Sequence, residues 1–386
     1  MIRKTVVALI VTIALIGGLV SACAAPAPAP APSPAPSPSP SPAPSPSPAP
    51  SPSPAPSPSP SQPQEVIKWT FQAAFPPGDP WYRTAEDVIK NRIEPAAGGS
   101  LVIEMFPAGA IVPAGEEADA LRTGSLDYAF SANGYNKHLD PGMPLLDQMA
   151  GVLSSTQLAY WLRSYGGHAL AEEMYLPFDI VYVSNMLGSP EDFAYTKGLE
   201  LNTLDDVKKM KMRTAGIGGE VMQKLGASTV FLPGGELYES MQRGVINAFE
   251  YSGAASFWEM SFQEVTDNLY ISFSRAPSDA NVFLASKEAW DKLPEDLQAI
   301  VLHIQRGAME DAWGEALVQN AVALKDIEEY GINVQQLPKE IEDAFIATAA
   351  QYFDDEAAKY GADSYYAEIV ESMRTFKTLA ESQGVF

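Results

Sequence analysis

Three observations predict an α/β fold of two lobes, with mixed, mostly parallel sheets, over residues 65–386. Strand-like and helix-like runs alternate through most of that stretch, as when parallel strands are joined by covering helices. The stretch is long enough for two domains. One short plan also occurs twice. "ALRTGSLDYAFS" (120–131) and "SMQRGVINAFEY" (240–251) each give a helix end, a glycine (Gly124 or Gly244), an apolar residue, Asp127 or Asn247, then a strand. Glycine suits a left-handed helix cap, and Asp or Asn suits the entry to a turn or strand.

The elements follow in order. "VIKWTFQAAF" (66–75) alternates as a first strand and ends in a Pro-Pro-Gly-Asp-Pro turn, and "WYRTAEDVIKNRI" (81–93) has helical spacing. "LVIEMFP" reads as strand, "GEEADALRTG" as helix and "SLDYAFSAN" as strand. "TQLAYWLRSYGGHALAEEMY" reads as a single helix and "FDIVYVSNM" as strand. "MKMRT", "TVFLP" and "VINAFEYSG" are strands, separated by the helices "GGEVMQKLG" and "GELYESMQRG". The last hundred residues are mostly helical, with one short strand, "INVQQLP", and two amphipathic helices after it. Their sequence leaves monomer and homodimer both open.

The front of the chain has a different logic. Arg3 and Lys4 precede the apolar run "VVALIVTIALIGGLV" (6–20), then Ser21, Ala22 and Cys23. This order is that of a secretory signal, and the run is short for a membrane span. "VSAC" resembles a bacterial lipobox, which implies cleavage after residue 22 and lipidation of Cys23; an uncleaved signal anchor is the other reading. Residues 24–64 are nearly all Pro, Ala and Ser. Such a stretch buries too little apolar surface to fold and forms a polyproline-type tether of on the order of 120 Å when extended. The expected organisation is a signal (1–22), a lipidated cysteine and tether (23–64) and a two-lobed domain (65–386). Lobe 1 covers about 65–187 plus part of the C-terminal region, and lobe 2 about 188–335.

Net charge is −23, which argues against nucleic acid or anionic lipid as partner. Cys23 is the sole cysteine, so the folded part has no cysteine nucleophile, disulfide or cysteine metal site. His138, His168 and His303 match no metal spacing. Trp258 and Phe257 read as core packing. The most informative stretch is "DVKKMKMRTAGIGGEVMQKLG" (206–226). Met210 and Met212 fall on one face of a strand, with Lys209, Lys211 and Arg213 on the other. A half-buried edge strand with a solvated basic face is one reading. Arg213, however, ends the strand just before a glycine-rich turn, a position that faces the ligand crevice of such sheets. There its planar fork would hold a carboxylate by two hydrogen bonds.

The segment "DDVKKMKMRTAGIGGEVMQKLGASTVFLPGGELYESMQRGVINAFEYSG" closely resembles the solute-binding subunits of tripartite ATP-independent periplasmic (TRAP) transporters of the DctP type. It is most similar to the branch that binds 2-oxo acids or lactate with a cation. The resemblance implies a periplasmic-binding-protein-like fold with hinge strands and a long helix spanning both lobes. It implies a receptor, not an enzyme, that closes on a small organic acid outside the cytoplasm and delivers it to TRAP membrane subunits, with the lipid anchor as its only membrane attachment. By position, Arg213 is similar to the arginine that binds the substrate carboxylate, Tyr135 to an aromatic that touches ligand, and Glu250 and Tyr251 to residues around the metal. Two departures bear on the cation. Asp192 stands where the branch has glutamine, and Ala276 where it has glutamate. The expected ligand-binding set is Arg213, Tyr135, Asp192 and Tyr251. Glu250, Tyr251 and Asp192 form the set for Ca²⁺ or Na⁺, whose presence the departures leave open. The alternative, a lipid-anchored hydrolase using cleft carboxylates, lacks a G-x-S-x-G elbow and an H-E-x-x-H helix.

Overall fold

The computed structural model describes residues 66–384; Cys23, the signal and the tether lie outside the described residues. Eleven strands are found among these residues: β1 (Ile67–Ala73), β2 (Leu101–Phe106), β3 (Tyr128–Ala132), β4 (Ile180–Gly188), β5 (Ala194–Thr196), β6 (Lys211–Arg213), β7 (Ser228–Val230), β8 (Ala248–Phe249), β9 (Asn268–Ile271), β10 (Asp279–Ser286) and β11 (Asn333–Gln336). They make two sheets, ordered β2-β1-β3-β10-β4 and β11-β9-β5-β8-β6-β7. Parallel pairings join β1 to β2 and β3, β6 to β7 and β8, and β9 to β11. The remaining pairings are antiparallel and involve β5 or β10.

The repeated plan is a repeated structure. Gly124 and Gly244 both have left-handed φ, 73° and 69°. Asp127 N–H donates to Thr70 O, and its Oδ2 accepts from Thr70 N–H at 2.8 Å. Asn247 N–H donates to Lys211 O, and its Oδ1 accepts from Lys211 N–H at 2.7 Å. In each lobe, a side chain thus completes the ladder at the point where β3 or β8 begins.

Three expectations need correction. The helix expected over 156–175 is two, Ser155–Ser164 and Gly167–Tyr175. Gly166 has φ 99° there, and a Cβ on Gly167 would lie 2.6 Å from the Trp161 ring. The lobe boundary also moves: β10 lies within 188–335 yet pairs with β3 and β4 in the first sheet. Two extended segments, 189–193 and 272–278, therefore cross between the sheets. They run side by side, with Glu191 N–H donating to Ala276 O at 3.0 Å. Finally, β5, β9 and β10 were not read from the sequence.

Helix Glu295–Tyr330 spans both lobes, as the resemblance implies. At 36 residues and about 1.5 Å per residue, it is long enough to reach both cores. Leu297, Val301 and Ala308 pack with Trp69, Phe71, Phe130 and Phe283 of the first lobe. Ala323 and Ile327 pack with Tyr195, Phe249, Phe257 and Phe262 of the second. Helix Lys339–Tyr360 puts Phe345 against Phe193, with ring centroids 5.4 Å apart. Helix Tyr365–Ser382 returns to the first lobe, where Trp161 Nε1 donates to Ser372 Oγ at 2.9 Å. Among the described residues no helix is long and apolar enough to cross a membrane.

Candidate functional site

The carboxyl ends of β1, β3 and β6 and the start of β10 meet at one cleft, lined by residues including Phe75, Tyr135, Asp147, Glu191, Arg213, Glu250, Tyr251 and Asp279. This is where ligands bind in open α/β sheets. The cleft and its mouth enclose about 570 Å³, the scale of a small-molecule site.

Arg213 is 1% exposed, so the solvated-edge reading of its strand does not hold. Gly216, at φ 66°, turns the chain from β6 into helix Ile217–Lys224. The guanidinium is fixed from behind: Nε donates to Leu232 O at 2.8 Å and Nη1 to Glu250 O at 2.7 Å. Burial pushes the Tyr135 hydroxyl up to about 12, although the guanidinium charge pulls it down. The rings of Phe231 and Tyr251 lie 5.7 and 5.3 Å from Arg213 Cζ, within cation–π range.

Beside it lies a second buried cation. Arg275, on the crossing segment 272–278, donates from Nη2 to Glu191 Oε2 at 2.6 Å and to Asp192 O at 3.0 Å, and from Nε to Phe193 O at 3.2 Å. Its Nη1 stands 3.5 Å from Glu250 Oε2 and has no hydrogen-bond partner. Glu250 Oε1 accepts from Ala215 N–H at 2.5 Å and lies 3.6 Å from Arg213 Nη1. Burial pushes the Glu250 carboxyl up, but Arg275, Arg213 and the Ala215 N–H outweigh it and leave it below the ordinary value. Glu191 goes the other way. Burial, with Asp279 and Glu250 nearby, raises it against the pull of Arg275.

Three more buried acids surround these. Asp147 accepts from the N–H groups of Asn133 (3.1 Å) and Gly134 (2.6 Å) and from Asn133 Nδ2 (2.5 Å), yet burial pushes it up to about 8. Asp279 Oδ2 accepts from Ser252 Oγ at 3.1 Å; burial and then Asp147 push it up to about 7. Asp79 caps helix Pro80–Glu86 by accepting from Trp81 N–H, and its Oδ2 accepts a hydrogen bond from the Tyr251 hydroxyl at 2.6 Å. Burial raises it to about 6 despite both bonds. Trp81 Nε1 donates to Ser252 Oγ at 3.1 Å, so Asp79 and Trp81 of the first lobe grip Tyr251 and Ser252 of the second.

Of the residues expected from sequence, Arg213, Tyr135, Glu250 and Tyr251 come together at the cleft. Asp192 does not: its Oδ2 accepts from Tyr195 OH at 2.7 Å, and its neighbour Glu191 lines the cleft instead. Successive side chains of an extended segment point to opposite sides, so counting one residue off exchanges cleft for core. Glu191, Arg275, Asp147, Asp279 and Asp79 were missed. Only the acid pair in "SPED" and the arginine in "SRAP" offered a local signal. Phe257 is buried in the second lobe's core, and Trp258 packs edge-on to Tyr330.

Known proteins share this fold. The chain is 25% identical over 312 residues to a monocarboxylate 2-oxoacid-binding periplasmic protein of Nostoc sp., covering 81% of this chain and 84% of that one. A TRAP transporter solute-binding protein from Bordetella bronchiseptica, with copurified calcium and picolinate, superposes with a TM-score of 0.78 at 21% identity, over 83% of this chain and 94% of that one. A TRAP periplasmic solute-binding protein from Pseudoalteromonas atlantica, with bound sodium and pyruvate, gives 0.75 at 25% identity, over 83% and 96%.

A cation of that kind does not fit the residues present here. Among the described residues no three His, Cys, Asp or Glu side chains converge to hold a metal ion. Asp192 is tied to Tyr195, and a guanidinium already stands against Glu191 and Glu250. A cation about 4 Å from that guanidinium would meet a repulsion of about 4 kcal/mol per unit charge at an effective dielectric of 20, enough to offset the attraction of one carboxylate at the same distance.

A model of the bacterial extracellular solute-binding proteins, family 7 (DctP), matches residues 71–359. These are extracytoplasmic solute-binding proteins of transporters, not enzymes, and nothing in the comparisons supports a hydrolase. The chain belongs to the family 7 bacterial extracellular solute-binding proteins.

Proposed function

We propose that this protein is the receptor of a TRAP transporter for a small monocarboxylate, a 2-oxo acid or lactate. Its carboxylate would be held by the Arg213 fork and its short body by the walls of Tyr135, Phe75 and Tyr251. The single observation that carries the reading is a fixed, buried arginine at the strand ends of a small interlobe cleft. The Nostoc and Pseudoalteromonas relatives, by name a 2-oxoacid binder and a pyruvate complex, support the ligand class. A lipid on Cys23 and a proline tether would keep the receptor at the outer face of the cell membrane, free to meet solute and to dock on the membrane subunits.

The test is thermal unfolding of the protein after bound ligand has been removed by unfolding and refolding. The panel holds pyruvate, longer 2-oxo acids, lactate, dicarboxylates, sugars and amino acids. A ligand at about 100 times its dissociation constant stabilises by about 2.7 kcal/mol, a readily measured shift. A shift with short monocarboxylates that is absent in Arg213→Ala supports the reading. A shift confined to sugars or amino acids would sink it.

A further inference from the structure

We propose that Arg275 is a built-in counter-cation of the cleft, and that this protein binds its acid without a metal ion. The inference deepens the receptor reading and rests on it for the nature of the ligand. Its physical basis is a problem of charge. Glu191 and Glu250 both line the cleft, and two carboxylates facing the site of an anion repel it unless a positive charge stands with them. In the Bordetella and Pseudoalteromonas proteins, calcium or sodium accompanies the bound acid. Here the positive charge between the two carboxylates is covalently part of the chain.

Arg275 is held for that role. Three hydrogen bonds, to the Glu191 carboxylate and to the carbonyls of Asp192 and Phe193, fix Nη2 and Nε. Nη1, wholly buried and without a hydrogen-bond partner, faces Glu250 Oε2 at 3.5 Å. The stem lies over Gly218, where a Cβ would come within 3.1 Å of Arg275 Cγ; the glycine makes the bed for the arginine. Ala276 precedes Pro277, which favours an extended backbone at that residue and keeps Arg275 in register with the opposite crossing segment. A guanidinium stays charged at any pH the fold survives. Glu250, held below its ordinary value, is therefore matched by Arg275 and Arg213 before any ligand arrives, and any charge on Glu191 falls on a carboxylate that already accepts from Arg275 Nη2. Burial pushes Asp147 and Asp279, the other acids of the wall, up to about 8 and about 7, so near neutral pH they carry less than their full negative charge.

Two titrations of the full chain, refolded from denaturant in EDTA, decide the matter. The first is calorimetric titration with pyruvate and the other monocarboxylates, in EDTA, in millimolar CaCl₂, and in NaCl against choline chloride. The inference expects affinities equal within about twofold in all four media, meaning no coupling between acid and ion. Acid binding at least about tenfold weaker in EDTA than with either ion would overturn it. The second is titration with CaCl₂ alone. No saturable site is expected, and one calcium bound per chain would overturn the inference whether or not any acid binds. If no acid binds under any condition, the receptor reading fails while the calcium titration still decides the role of Arg275.

The variant Arg275→Gln removes the internal charge and leaves Glu191 and Glu250 in place. It should bind the acid at least about tenfold more weakly in EDTA and recover in part with calcium. Acid binding in Arg275→Gln that is as tight as in the parent and indifferent to calcium would overturn the proposal. If the variant shows no cooperative melting, the two titrations of the parent chain carry the decision.

Discussion

Replacing Arg213 by lysine keeps the charge and removes the fork. The guanidinium has three nitrogens, and two of them are committed behind the cleft, Nε to Leu232 O at 2.8 Å and Nη1 to Glu250 O at 2.7 Å. A single ammonium on a flexible stem cannot serve both carbonyls and still present two donors to a ligand carboxylate. Loss of one charge-assisted hydrogen bond to the ligand costs about 1.5–3 kcal/mol. At about 1.4 kcal/mol per decade, that is roughly 10- to 150-fold in affinity. The buried carbonyls left without a donor cost about 1–3 kcal/mol in the ligand-free protein, so its melting temperature should fall by several degrees. Calorimetric titration of parent and Arg213→Lys with the tightest acid of the panel measures the first effect, and thermal unfolding without ligand the second. An affinity within threefold of the parent would refute the bidentate role. So would an unchanged melting temperature, for the structural half of the argument.

Two further predictions test the surrounding groups. Burial raises Asp147 from 3.8 to about 8 and Asp279 from 3.8 to about 7. A carboxyl whose folded value is raised contributes stability that is fully present below its unfolded value and lost as pH rises through the folded one. The melting temperature should therefore drop between pH 5 and 8, acid affinity should weaken over the same range, and Asp147→Asn with Asp279→Asn should flatten the slope. Stability that rises across that window in the parent would contradict the assignment. Tyr251→Phe removes the donor to the buried Asp79 across the two lobes. Leaving that acceptor unpaired should cost about 1–3 kcal/mol, seen as a lower midpoint in urea unfolding; an unchanged midpoint would mean the contact is not formed in solution.

What the sequence disclosed and what it hid follow from the range of the forces. The repeat around Gly124 and Gly244 was readable because a helix cap and the ladder contact beside it are set by a dozen adjacent residues. Arg213 was readable because a strand end followed by a glycine turn is also local. β10 was not: all eight residues of "DANVFLAS" are buried, so no polar–apolar alternation marks it as a strand. β5 and β9 failed for a related reason, being short and paired antiparallel to partners far along the chain.

The site's electrostatics were hidden more deeply. Arg275 meets Glu191, 84 residues away, and no spacing rule connects them. Its importance comes from the crossing segments, which the folded chain brings side by side. The same contact also ties chemistry to motion. Arg275 and Glu191 sit on the two strands of chain that join the lobes, so the ion pair that balances the cleft's charge also clamps the hinge. Any change that loosens the pair exposes two carboxylates to the ligand and frees the crossings together. Affinity and closure in this receptor are therefore expected to fall in parallel when Arg275 is altered, whereas Arg213→Lys should weaken ligand capture and leave the hinge clamped.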